Sequence, residues 1–181
     1  MLQPVRRIVT GLNERGLSAV IFEGAAASKG ESPDWPGMGV TMLWRSDTVP
    51  VDNSGRADAV AGPLSVMNSP RGVEFLIWQC PPLSDLDRMS PEQRARALSP
   101  GGLIDADHVD PDHHPGMHAT LTLDFLVVLS GQVTLILEDG EVTLHAGDTL
   151  VDRSVAHAWE NRGDTPAICA IVNVGALSVR D

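Results

Sequence analysis

The stretch QVTLILEDGEVTLHAGD, residues 132–148, does most to limit what this chain can become. Val133, Leu135 and Leu137 share one parity, Asp139-Gly140 supplies a turn, and Val142 and Leu144 repeat the pattern on the way back. A period of two on both sides of an Asp-Gly turn is the pattern of a β-hairpin with one buried face. The same texture continues. DFLVVLSG before it ends at a glycine, Gly147-Asp148 turns into TLV, and AHAWENRGDTPAICAIVNVG reads as two more strands around Arg162-Gly163-Asp164. Many short strands joined by tight turns, with almost no helix, predict an all-β sandwich or barrel.

The first half is more broken. LSAVIFEG (17–24), GVTMLWRSD (39–47) and GVEFLIWQC (72–80) read as strands, separated by Gly- and Pro-rich loops. One short helix is expected in SPEQRARALSPGG, with Ser90 as N-cap, Pro91 in the first helical position and Pro100-Gly101 as the stop. The organisation predicted is an N-terminal set of strands over 1–83, packing on the barrel or a partner subunit. A connecting segment follows over 84–115, then a barrel core over 116–181.

Composition narrows the function. With 181 residues and 43% hydrophobic content the chain can bury a real core. Its formal net charge of -11, without a dense basic patch, argues against nucleic-acid binding. No apolar run has the length of a membrane span, and the N-terminus lacks an apolar signal segment, so a soluble cytoplasmic protein is expected. Cys80 and Cys169, outside any CxxC pair, read as buried free thiols. No GxSxG, HExxH or phosphate-binding loop is present.

Residues 116–175 resemble the cupin superfamily, small β-barrels of jelly-roll type. His118, Thr120, Asp124 and Gly131 stand at the spacing of the first cupin motif, H-x-H followed by Glu and Gly. Gly147-Asp148, His157 and Asn161 follow the second. Thr120 replaces the second histidine and Asp124 replaces the glutamate. Asp152 and Ser154 replace a proline and a glycine, and Gly147 to His157 is one residue short. The resemblance implies a cupin barrel with an N-terminal strand arm and one short helix, commonly a homodimer.

In that family the motif residues bind a divalent metal. Carried over position by position, they imply His118, Asp124 and His157 as ligands of Fe, Mn, Zn or Ni. Two imidazoles and a carboxylate suit such ions and leave positions open for substrate. Asp124 and His157 are then also the candidate proton-transfer groups, with Thr120 and Trp159 in the pocket. His118, Thr120 and Asp124 share a parity, but TLTLD reads as uninterrupted strand. Six residues of strand extend about 20 Å, too far for two ligands whose donors lie about 2 Å from one ion. Without a metal, Asp124 is expected to pair with His118 or His157. His113 and His114 form a mouth loop or further ligand source, and Arg45 is a candidate anchor for an acidic substrate.

The resemblance implies a metal-dependent small-molecule enzyme of oxygenase, isomerase, decarboxylase or lyase type. The alternative is a metal-free small-molecule binding or sensing protein, for which the missing second histidine speaks.

Overall fold

A computed structural model describes residues 1–62, 64, 66, 71–99, 108–109 and 112–177. The expected helix stop at Pro100-Gly101 and part of the Asp/His-rich stretch after it lie outside the described residues.

The strands are β1 (Arg6–Leu12), β2 (Ser18–Ala25), β3 (Lys29–Glu31), β4 (Gly39–Ser46), β5 (Val73–Cys80), β6 (His108–Val109), β7 (His118–Ala119), β8 (Thr122–Ser130), β9 (Gln132–Leu137), β10 (Glu141–His145), β11 (Thr149–Arg153), β12 (His157–Glu160) and β13 (Ala167–Gly175). Among the described residues, a 3-10 turn (Leu83–Leu86) and one α-helix, α1 (Pro91–Leu98), lie between β5 and β6. β1 and β2 form their own antiparallel hairpin. The rest make a five-stranded sheet, ordered β10-β9-β12-β7-β6, and a six-stranded sheet, ordered β11-β8-β13-β5-β4-β3. This is the two-sheet all-β architecture expected from the turn pattern. β1 is a strand that the sequence pattern does not announce. Its residues, RRIVTGL, are charged at one end and include a glycine, so period alone does not mark it.

Alternation decides which side chains enter the interior. On β8, Leu126 and Val128 are buried while Phe125, Val127 and Leu129 point out. The main core gathers Trp35, Cys80, Leu86, Leu126, Val128, Val133, Leu144 and Cys169. Both cysteines are buried and unpaired, and burial raises both thiols, Cys169 to about 12. The helix starts as its sequence dictates. Ser90 accepts from Gln93 N, the Gln93 side chain accepts from Ser90 N, and Pro91 opens the first turn.

Lateral register writes two rows across the inner face of the six-stranded sheet. Leu150, Leu126, Ile171, Leu76 and Met42 stand side by side on β11, β8, β13, β5 and β4. One step along the strands, Asp152, Asp124, Asn173, Glu74 and Arg45 form a parallel row of polar residues. An apolar interior with one polar row is the material of a binding pocket.

Candidate functional site

The uninterrupted strand expected over TLTLD does not exist. Pairing breaks at Thr120–Leu121, and the chain passes there from β7 in one sheet to β8 in the other. The bend has no Gly or Pro. It is held instead by side chains: the Thr120 and Thr122 hydroxyls bond at 2.6 Å, and Ser154 Oγ donates to Thr122 O at 2.7 Å. Ser154 itself has φ of 59°, the left-handed region. It occupies the position of the motif's glycine, and its hydroxyl bond helps hold a backbone that glycine adopts without strain. The crossover brings His118 and Asp124 to the same cavity from different sheets.

That cavity has a volume of about 180 Å³. Its walls are Met38, Val40, Leu126, Leu150, Ile171 and the two tryptophans Trp78 and Trp159, whose ring centroids lie 5.5 Å apart. Its polar end contains His118, Thr120, Thr122, Asp124, Asp152, His157 and Asn173. All five residues singled out from the sequence, His118, Thr120, Asp124, His157 and Trp159, line it. Arg45, the expected anchor for an acidic substrate, does not. It pairs with Asp47 at 3.2 Å, and no Lys or Arg among the described residues lines the cavity.

The two histidines face each other across the five-stranded sheet. His118 pairs with His157 in the β7–β12 register, and their ring centroids are 4.5 Å apart. Each ring is fixed through Nδ1 by the carbonyl two residues before it. His118 Nδ1 donates to Gly116 O at 2.8 Å, and His157 Nδ1 lies 2.9 Å from Val155 O. In both rings Nε2 is therefore the nitrogen left for the cavity. Orientation of one ring nitrogen by a backbone carbonyl is how proteins present the other to a ligand.

Asp124 does not pair with either histidine as its main partner. Asp152 does: its Oδ2 is 2.9 Å from His157 Nδ1, and the His157 and Asp152 side chains are only 6% and 5% exposed. The Nδ1–H is directed at the Val155 carbonyl, so Asp152 serves as an ion-pair partner, and Oδ2 accepts no hydrogen bond. Motif spacing alone does not reveal Asp152, which stands where the motif has proline. Parity with Leu150 and the two-strand register to Asp124 carry the signal.

Electrostatics separate the four groups. Burial lowers the His118 pKa to about 4, aided by the neighbouring His157 charge, so this ring is neutral at pH 7. Burial raises Asp124 to about 6, against the Thr122 hydroxyl and with a contribution from Asp152. For His157 burial opposes the charge, but Asp152 overrides it and the pKa is raised. Burial likewise opposes the Asp152 charge, and the His157 imidazole beside it holds that carboxyl below the usual range. Asp124 Oδ1 and Asn173 Oδ1 are buried without a hydrogen-bond donor.

The donor types suit a divalent ion: a neutral imidazole, a second with its Nδ1 occupied, and a carboxylate oxygen with no donor. In this conformation no three His, Cys, Asp or Glu side chains among the described residues stand together closely enough to hold one. Asn161, the last residue of the second motif, is structural. Its Nδ2 donates to Cys80 O and Thr165 O, tying the end of β12 to β5.

A family model for the cupin domain matches residues 99–174. Among curated proteins, the chain is 37% identical over 70 residues to phomopsin biosynthesis cluster protein C' of Diaporthe leptostromiformis, covering 38% of this chain and 37% of that protein. It is 41% identical over 73 residues to oryzines biosynthesis cluster protein J of Aspergillus oryzae, covering 38% and 39%. It is 41% identical over 46 residues to the cupin-domain-containing oxidoreductase virC of Hypocrea virens, covering 25% and 24%. The match therefore spans well under half the length of these relatives. Among solved structures, an RmlC-like cupin family protein from Methanocaldococcus jannaschii superposes with a TM-score of 0.43 at 12% identity, covering 82% of this chain and 90% of that one. The segment over 99–174 thus matches the cupin domain, and the two-sheet fold with its two motifs is similar to that family.

Proposed function

We propose that the chain is an enzyme acting on a small, mainly apolar organic molecule at the polar end of the cavity, with a divalent metal held by His118, His157 and Asp124. The observation that carries this is the facing histidine pair, each ring fixed through Nδ1 with Nε2 left for the cavity. A rotation of Asp124 within its row would supply the third donor through Oδ1. The ion, when bound, supplies Lewis-acid polarisation of a substrate oxygen. The chain's own part is different. Trp78, Trp159, Leu126 and Ile171 exclude water and grip the apolar body of the substrate. Asp152 supports the Nδ1 side of His157, and Asp124 is placed to take a proton. With no Lys or Arg among the described lining residues, an uncharged substrate is favoured over a carboxylate or phosphate. The relatives' names, two biosynthesis cluster proteins and an oxidoreductase, agree with work on such molecules. The two unpaired cysteines support a reducing, cytoplasmic setting.

Metal analysis by mass spectrometry tests this, on wild type and His118→Ala purified without chelator. Near-stoichiometric metal in wild type, lost in the variant, is the expected result. Wild type that stays metal-free after incubation with Fe, Mn, Zn or Ni would leave the second reading, a metal-free small-molecule binder. That reading is favoured by the lack of three convergent ligands among the described residues and by Thr120, whose hydroxyl is engaged with Thr122.

We also propose a homodimer through the outer face of the six-stranded sheet. Val151, Phe125, Val172, Phe75 and Trp44 stand side by side across five strands. Phe125 and Phe75 are more than 40% exposed, and Val127 and Leu129 extend the patch. A broad, mostly apolar, regular face of this kind, with Arg153 at its β11 edge, suits a two-fold contact with its own copy. Sedimentation velocity should show a dimer for wild type and a monomer for Phe125→Asp. A wild type that stays monomeric at high protein concentration would exclude it.

A further inference from the structure

We propose that His114 is a positioning residue: it clamps Gly116 and so fixes the direction and tautomer of His118. Its role as the reaction centre's orienter rests on the function proposed above, but the geometry stands alone. Gly116 N donates to His114 Nδ1 at 2.9 Å. That nitrogen therefore carries no proton, and the ring's proton sits on Nε2, which is 3.2 Å from Glu160 Oε1 and donates to it. At its other end Gly116 offers its carbonyl oxygen to His118 Nδ1 at 2.8 Å. His118 must then hold its proton on Nδ1 and keep a lone pair on Nε2. One glycine is held between two imidazoles of opposite tautomer.

Nothing in this arrangement is loose. Met117 N donates to His114 O, closing the turn around the glycine. A Cβ at position 116 would stand 2.6 Å from the Leu98 carbonyl oxygen, so the turn packs directly on the end of α1 and no larger residue fits. Glu160, the outer anchor, is itself fixed. Arg162 Nε donates to Glu160 Oε2 at 2.8 Å, and the guanidinium reaches Glu141 with two bonds of 2.6 and 2.9 Å. Glu160 also lies on β12, the strand that carries His157. The clamp thus ties the turn before His118 to the strand of the opposing histidine, and so holds the 4.5 Å spacing of the two rings. Both nitrogens of His114 are occupied, so it is no ligand source, although it stands in an Asp- and His-rich stretch.

Nitrogen-15 NMR of the histidine rings in metal-free full-length protein reads the tautomer directly. Wild-type His118 is expected as the Nδ1–H form only. His114→Ala should mix both tautomers. His114→Asn, whose side-chain oxygen can take the Gly116 N–H in place of Nδ1, should restore the single form. A zinc titration of the same three proteins is expected to follow, with about a tenfold or greater loss in His114→Ala and recovery in the Asn variant. An unchanged His118 tautomer in folded His114→Ala overturns the proposal. So does an Nε2–H form of His118 in wild type, a measurement that needs no variant to fold. Since the NMR experiment uses no metal, a protein that binds none can still pass or fail it.

Discussion

Replacing His157 by alanine is expected to lower the unfolding free energy by about 3–5 kcal/mol at pH 7, the largest effect of any single substitution in the site. The reason is Asp152. Its side chain is 5% exposed and has His157 as its ion-pair partner at 2.9 Å. Removing the imidazole leaves a charge in an apolar wall, and the native state must then either carry it or protonate it. Asp152→Asn alone should cost less, since an amide in that place has no charge to strand and can still accept from Val155 N, which now donates to Oδ1 at 3.2 Å. The double variant His157→Ala, Asp152→Asn should recover much of the loss. Urea unfolding of all four proteins measures the coupling. A His157→Ala cost below about 1 kcal/mol would show that the two groups are not a working pair.

Asp124→Asn is expected to do the opposite at neutral pH: stabilise the fold while weakening the site. Asp124 titrates at about 6 in the folded chain, against about 3.9 for an unfolded aspartate. Its protonated form is the one the buried site prefers. That preference is fully present below about pH 4 and is lost as the pH rises through about 6. Above that, ionised Asp124 costs the native state roughly 2–3 kcal/mol, since each tenfold difference in proton affinity between folded and unfolded chain is worth about 1.4 kcal/mol. Asparagine cannot ionise. The variant's advantage over wild type should therefore be near zero at about pH 4 and reach its maximum near about pH 8, in chelator. A stability difference that stays constant across that range would rule out a buried, titrating Asp124. His118 runs the other way. Its folded pKa of about 4 lies below the usual value of about 6.5, so its contribution is complete above the usual value and lost as the pH falls toward 4. The same Asp124→Asn protein should retain less metal, because an amide is a poorer ligand than a carboxylate. Stability given up at a buried polar group is a recurrent trade-off at functional sites.

Much of this is legible in the chain, for reasons that can be named. The Asp139-Gly140 and Gly147-Asp148 turns and the alternation on β9 and β10 are local signals, so the hairpins can be placed without knowing any long-range contact. His118, Asp124 and His157 follow from motif spacing, and the cavity does contain them. The bend at Thr120–Leu121 is not legible. Thr and Leu favour extended backbone, and what breaks the strand is the Ser154 hydroxyl arriving from another part of the sheet. Asp152 is hidden for the same reason. Only the register of β11 on β8 shows that it stands beside Asp124. In the sequence His114 is one histidine among several, and its task depends on Glu160 across the fold. Local pattern reveals strands; lateral neighbours across a sheet follow from topology.

The place of β13 in the six-stranded sheet also sets an order of events. Strands β5 and β8 do not pair with each other; each pairs with β13, which lies between them. During synthesis β5 can pair with β4, already made, but its other edge stays open until β13 emerges. Asp124 and Glu74 likewise wait for Asn173 to stand between them. Such late, long-range pairing makes folding slow and leaves sheet edges open to wrong partners. The cavity is therefore complete only once β13 is made, and shortening β13 should abolish the pocket and the fold together.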